Sequence, residues 1–184
     1  RSMLFLWHLI DSVAASKSMR SIACGFSDIT YIRLQQGWVY LAVFIDLFSR
    51  QVVGWALSRS LDHGLVLKAL ERARQKRKPE PGLMIHSDRG VQYACTGFRQ
   101  VLKRDGYVQS MSRKADCWDN AAAESFFHLL KSELIYHYAW YGYADVHAAL
   151  FEYIELFYNR ERTHSTLGYL TPVDFEQQAL KIAA

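Results

Sequence analysis

Three β-rich runs follow one another almost without interruption from Ile22: DITYIRL, WVYLAVFIDLF and VVGWALS, joined by Gln36-Gly37 and by SRQ. Tight turn residues between β-branched and aromatic runs specify hairpins, so this stretch reads as a three-stranded antiparallel meander. A meander has apolar faces to cover, and the sequence that follows supplies the cover. LVLKALERARQKRK carries a helical period on Leu65, Leu67, Ala69, Leu70 and Ala73 and is ended by Pro79 and Pro81. GLMIHSD then reads as a buried strand, FRQVLKRDGY as a helix closed by Gly106, and YVQSMS as a short fifth strand. WDNAAAESFFHLLKSELIYHY is a long third helix. DVHAALFEYIELFYNRER is a fourth, with Val146, Leu150, Tyr153, Ile154 and Phe157 on one side. Strands followed by alternating helix and strand predict an α/β domain with a mixed five-stranded sheet, flanking helices and a helical extension at the C-terminal side. Trp38 and Trp55 are expected in the core.

The bulk composition narrows the class of protein. With 184 residues and 51% apolar content, the chain suits one domain that needs no covalent staples. Cys24, Cys95 and Cys117 are odd in number and widely spaced, which indicates neither a disulfide framework nor a zinc site and fits a reducing cytoplasm. MLFLWHLIDSVAA imitates a signal peptide, but His8 and Asp11 interrupt it and it is far too short to span a bilayer. No membrane role is expected. A net charge of +4 permits an anionic partner without specifying one. Residues 1–22 show no clear period and no clean caps.

Three carboxylates sit where simple folding rules would not put them. Asp28 lies inside a strand pattern, although Asp is depleted in strands and costly to bury unpaired. Asp88 ends the buried strand LMIHSD, and the carboxyl ends of strands in α/β sheets are where ligands bind. Glu124 follows three alanines in WDNAAAESFFHLLK and stands at the third position after neither Asp119 nor Asn120, so no capping box explains it. On a helical projection Ala123, Phe127, Leu130 and Leu134 form the apolar stripe, while Glu124 borders it with His128 and Lys131 on its own side. Oxygen donors without a histidine or cysteine set favour a hard cation, Mg²⁺ or Mn²⁺. Two such ions can activate a water or hydroxyl and stabilise the leaving oxygen of a phosphodiester. Taken singly, each acid is equally well explained by capping or by an ion pair.

The quoted runs DITYI, IDLFSRQVVGW, HSDRGVQYA, SMSRKADCWDNAAAESFFHLLKSELI and YIELFYNRERTHSTLGYLTP, in this order, resemble the transposases of the insertion-sequence-three family. These contain the integrase catalytic core also found in retroviral integrases, and the resemblance covers about residues 26–175. It implies a ribonuclease-H-like fold, with residues 1–22 as an atypical lead-in, 23–140 as the integrase catalytic core and 141–184 as a C-terminal helical extension. It also implies an acidic triad of Asp28, Asp88 and Glu124, the last two with 35 residues between them, holding two Mg²⁺ or Mn²⁺ ions. The activity implied is hydrolysis of one strand at an element end, followed by joining of the freed 3′-hydroxyl to another phosphodiester.

By the same resemblance Lys131, seven residues after Glu124, is a DNA-contacting position, two turns along the same face. Asn120, His128, Arg113, Lys114 and Arg162 are further candidates for DNA contact. Asn120 also reads as a helix cap, and the basic set Arg160, Arg162 and His164 as the complement of a helix C-terminus. Asp46 reads as a turn-capping residue outside the triad, His86 as a satisfied strand-end histidine, and Cys117 as space-filling. The expected partners are element-end and target DNA, further copies of the chain, and a helix-turn-helix protein supplying the end-recognition region absent here. Two departures stand out: Gly25 where the family usually has tryptophan, and Ala115 where it usually has glycine. A frameshifted or truncated gene copy would produce this lead-in, and the competing reading is a non-catalytic remnant or accessory DNA-binding protein that keeps the fold.

Overall fold

The computed structural model describes residues 24–88, 90–111 and 121–182. β1 (Cys24–Arg33), β2 (Trp38–Asp46) and β3 (Val52–Ser58) form the expected meander. α1 (His63–Arg77) leads to β4 (Met84–Ser87), and α2 (Val91–Ala94) and α3 (Thr96–Arg104) lead to β5 (Val108–Met111). The sheet order is β3-β2-β1-β4-β5, with β4 and β5 parallel to β1. The mixed sheet follows from chain economy: the short loops 34–37 and 47–51 allow antiparallel neighbours, whereas each parallel neighbour needs a helical crossover.

Each face of the sheet buries its own core. On one side Ala42, Phe44, Val53 and Ile85 pack with Leu65, Val66, Ala69 and Leu70 of α1 and with Phe98 and Leu102 of α3. On the other, Phe26, Ile32, Leu41, Val43 and Ile45 pack with α4 (Ala121–Glu133) and the helical run beyond it. α1 starts where Asp62 accepts a hydrogen bond from the Leu65 N–H and stops at Lys78, which is in the left-handed region (φ 46°) before Pro79. Gly54 sets the closeness of α1 to β3. A Cβ built there would lie 2.4 Å from the Ala69 carbonyl oxygen and 2.6 Å from the Ala73 nitrogen, both backbone atoms.

Four expectations are corrected. The third helix does not run on to Tyr138 but ends at Glu133, because Leu134 leaves helical geometry (φ −129°, ψ −61°). A single 3₁₀ turn, Ile135–His137, follows, and the Trp140 indole N–H takes up the Ile135 carbonyl at 3.0 Å. The fourth helix, α5 (Tyr143–Phe151), passes into a π-helical stretch, Glu152–Tyr158. The wider i→i+5 winding turns Tyr158 inward in place of Phe157, which is 39% exposed. Trp38 is 46% exposed rather than in the core, because it opens β2 opposite Arg33 at the turn end of the hairpin; Trp55 is buried as expected. Phe126, absent from the expected stripe, is fully buried, whereas Leu134 is only partly so.

One further helix, α6 (Pro172–Ile182), was not legible in the apolar pattern. It is fixed by Phe175 against Phe48 (ring centroids 5.2 Å apart) and by Glu176, which accepts from Arg77 at 2.7 Å. Asn159 closes the exposed side of β3: its side-chain amide donates to the Val52 carbonyl and accepts from the Val52 N–H, both at 3.0 Å. No helix among the described residues is long and apolar enough to cross a membrane.

The contact at Gly54 yields a prediction. Gly54→Ala forces α1 off β3 and should lower unfolding free energy by about 1–3 kcal/mol, the usual cost of overpacking. Urea denaturation of the purified variant checks it; an unchanged midpoint would mean that the helix is not held where described.

Candidate active site

The two aspartates are brought together by strand register. β1 and β4 pair in parallel as Cys24 with Met84, Gly25 with Ile85, Phe26 with His86, and Ser27 with Ser87. The next residue on each strand is Asp28 and Asp88, so the same short repeat, FSD on β1 and HSD on β4, delivers both acids to one end of one ladder. Alternation puts Phe26, Asp28 and Ile32 on one face of β1, and Phe26 and Ile32 belong to the core covered by α4. Phe26 lies 5.6 Å from the His86 ring, which shows that His86, and with it Asp88, share that face.

Polar residues behind the aspartates are firmly placed. Ser27 and Ser87 are fully buried, and the Ser27 hydroxyl is 2.9 Å from the Tyr93 hydroxyl, itself 1% exposed. His86 Nδ1 is 3.0 Å from the Ser110 hydroxyl, the satisfied strand-end histidine expected. Sequence reasoning missed the Ser27–Tyr93 pair; the repeated Ser-Asp dipeptide was the signal available. Gly25 causes no break in β1, since it pairs with both Asp46 and Ile85. Asp46 acts as a turn residue: its carboxylate accepts from the Phe48 N–H at 2.9 Å, its carbonyl accepts from the Arg50 N–H at 2.8 Å, and Arg77 stands 3.6 Å away.

The electrostatics of Asp28 describe a site short of positive charge. Its carboxyl is raised to about 6, first by burial and then by Asp88 and Glu124, against the Ile29 N–H that it accepts at 2.7 Å and the pull of Lys131. The same neighbours locate Glu124 and Lys131: both α4 side chains lie within electrostatic reach of Asp28. α4 presents them by burying Ala123, Phe126, Phe127 and Leu130, which leaves Glu124 and His128 exposed and Lys131 half-buried. Asp88 is partly exposed and accepts from the Gly90 N–H at 2.9 Å. Among the described residues, no three Asp, Glu, His or Cys side chains stand close enough together to hold a metal ion. The donor set nevertheless suits a hard divalent cation: all-oxygen ligands, two of them on neighbouring strands just past one end of their ladder, and a carboxylate whose ionisation a cation would favour.

Other expected site residues fall elsewhere. The Arg162 guanidinium is committed to Glu133, with contacts of 2.7, 2.9 and 3.0 Å, and the Tyr153 hydroxyl donates to the same carboxylate at 2.7 Å. This set ties the end of α4 to the chain beyond the π-helical stretch. His164 is buried against Tyr158 (ring centroids 4.9 Å), and Arg160 is exposed. Asn120, Arg113 and Lys114, with Asp119, Ala115, Cys117 and the segment 1–22, lie outside the described residues.

Two integrase core domain profiles match the chain, over residues 20–117 and 124–180. The chain belongs to the integrase core domain family. It is 46% identical over 153 residues to the transposase InsF for insertion sequence IS3fB of Escherichia coli K12, covering 83% of this chain and 53% of that protein. The chain thus spans about half the length of the curated relatives it matches. Among solved structures, the simian T-cell lymphotropic virus intasome with PP2A regulatory subunit B56 gamma aligns with a TM-score of 0.69 at 16% identity, over 85% of this chain and 54% of that one. The HTLV-2 integrase catalytic core domain in complex with magnesium aligns with a TM-score of 0.63 at 14% identity, over 85% and 97%. These likenesses establish the ribonuclease-H-like fold, and the InsF match bears out the resemblance to insertion-sequence-three transposases.

The raised carboxyl of Asp28 predicts a pH dependence of metal-free stability. The folded state holds this proton up to about pH 6, whereas the unfolded chain releases it near its ordinary value, 3.8. Stability is therefore lost as pH rises between those values and stays flat above, by up to about 3 kcal/mol for this group alone. Asp28→Asn should remove that slope and be the more stable protein in EDTA at pH 7, a difference that Mg²⁺ narrows. Thermal melts from pH 4 to 7 decide it; a variant that follows the parent slope would contradict the environment described.

Proposed function

We propose that the chain is the catalytic core of a DNA transposase, cleaving one strand at an insertion-sequence end and joining the freed 3′-hydroxyl to target DNA. The observation that carries this is the pair of aspartates on adjacent strands at the end of the β1–β4 ladder, Asp28 and Asp88, with Glu124 on the helix packed over the same face. Asp28, Asp88 and Glu124 would hold Mg²⁺ or Mn²⁺, two ions in the full arrangement. Bound there, such ions supply a Lewis acid for the scissile phosphate and lower the pKa of an attacking water or 3′-hydroxyl.

The chain's own residues do the remaining work. Buried Ser27 and Tyr93 hold β1 directly beside Asp28. Lys131, half-buried on the Glu124 side of α4, offers an ammonium to a phosphate beside the acids. His128, exposed one turn from Glu124, is a second backbone contact; Asn120, Arg113 and Lys114 complete the DNA-facing set in this reading. Arg162 serves it indirectly by holding Glu133 and the end of α4. Residues 23–140 form the core and 141–184 its C-terminal extension. The protein works in the cytoplasm as a homo-multimer on paired element ends, with a helix-turn-helix partner providing end recognition.

The test is nicking and joining of labelled element-end DNA by the purified chain with Mg²⁺ or Mn²⁺. Glu124→Gln should reduce both steps by at least about a hundredfold, beyond the roughly 10–100-fold typical of removing a supporting residue around a metal site. Equal activity of parent and variant, or activity that survives EDTA, would refute the assignment.

A further inference from the structure

Next to the acids lies a groove that the strand-transfer reading leaves without a task. It has a volume of about 640 Å³, within the roughly 300–1,000 Å³ usual for ligand sites. One wall is the turn end of the β1–β2 hairpin, with Tyr31, Arg33 and Trp38; the other is the end of α4 and the turn after it, with Lys131, Tyr136 and Tyr138. The Gln35 N–H donates to the Trp140 carbonyl at 2.9 Å and straps the two walls together, and the buried Trp140 ring lies 5.6 Å from Tyr138. The groove is therefore built by the fold.

Its chemistry is unusual for a free surface. Tyr31, Trp38, Tyr136 and Tyr138 are 52%, 46%, 75% and 64% exposed, an accumulation of aromatic rings that burial does not explain. The Arg33 guanidinium sits 5.3 Å from the Trp38 ring centroid, and Lys131 is the second cation. No carboxylate is among the described residues lining the groove. Aromatic platforms interleaved with cations, without acids, suit a chain of phosphates carrying planar groups. Bases expose their faces for stacking on side chains only when they are unpaired.

We propose that this groove is a stacking subsite for an unpaired DNA strand, leading away from the acids along the face of α4 that carries Lys131. Lys131 sits at the junction: it is within electrostatic reach of Asp28 and it lines the groove. A strand whose phosphate meets the acids can thus continue over Lys131 and lay its next bases on Trp38, Tyr136 and Tyr138. This assigns a locally melted substrate to the enzyme and rests on the DNA reading above.

Fluorescence anisotropy in EDTA tests it, with the full chain and three probes: an oligothymidine of about ten nucleotides, an abasic strand of the same length, and a blunt duplex. The oligothymidine should bind at least about tenfold more tightly than the abasic strand. Trp38→Ala and Tyr138→Ala should each remove most of that advantage while leaving duplex affinity unchanged, and both side chains are exposed enough for the variants to fold, as melting curves will verify. Equal affinity for intact and abasic strands would overturn the subsite while sparing the DNA reading. Unchanged oligothymidine binding by Trp38→Ala, with an altered sedimentation coefficient, would assign the groove to a protein interface instead. Failure of the parent to bind any of the three probes at low salt would overturn both.

Discussion

Four residue pairs between two parallel strands decide whether this molecule has an active site. The ladder from Cys24–Met84 to Ser27–Ser87 sets the relative height of β1 and β4, and with it the adjacency of Asp28 and Asp88. A slip of one residue would send one of the acids to the opposite face, since side chains alternate along a strand. Buried groups on both faces resist such a slip. Phe26 packs with His86 across the two strands on one, and Ser27 meets Tyr93 of α2 on the other.

The third acid depends on a different constraint, the packing of α4 over β1. Ala123, Phe126, Phe127 and Leu130 seat that helix in the same core as Phe26 and Ile32, and Glu124 and Lys131 follow from that seat by helical geometry alone. The Glu133–Arg162–Tyr153 set and the turn around Trp140 hold the far end. What results is a set of carboxylates within electrostatic reach of Asp28, which is raised to about 6 because burial and neighbouring acids disfavour its charge. Such a site resists its own ionisation until a cation arrives, and Lys131 relieves only part of that repulsion.

Much of this was legible in the sequence, and the reasons differ by element. The meander and the strand–helix alternation are written in local periodicity, which the structure follows closely from Cys24 to Met111. Asp28 and Glu124 announce themselves as charges in apolar patterns. Their joint role came from the resemblance, because no local rule says that β1 and β4 will be neighbours. Trp38 misled because an aromatic residue in a strand pattern reads as core, while its place opposite Arg33 at the hairpin's turn leaves it half outside. Phe157 misled because a helical wheel assumes 3.6 residues per turn, and the π-helical stretch breaks that phase. α6 was hidden because its hold on the core is made by Phe175 and Glu176 with distant partners.

Gly25 shows the limit of comparing motifs one position at a time. A glycine in place of the family's usual tryptophan argues for a damaged strand, yet Gly25 pairs on both sides and Asp28 keeps its place three residues on. The sharpest check is anomalous diffraction from crystals of this chain soaked in Mn²⁺. A peak between the Asp28 and Asp88 carboxylates, with Glu124 turned toward it, is the expected result. Manganese bound elsewhere in the crystal, with no density between those two aspartates, would contradict a metal centre built by strand register.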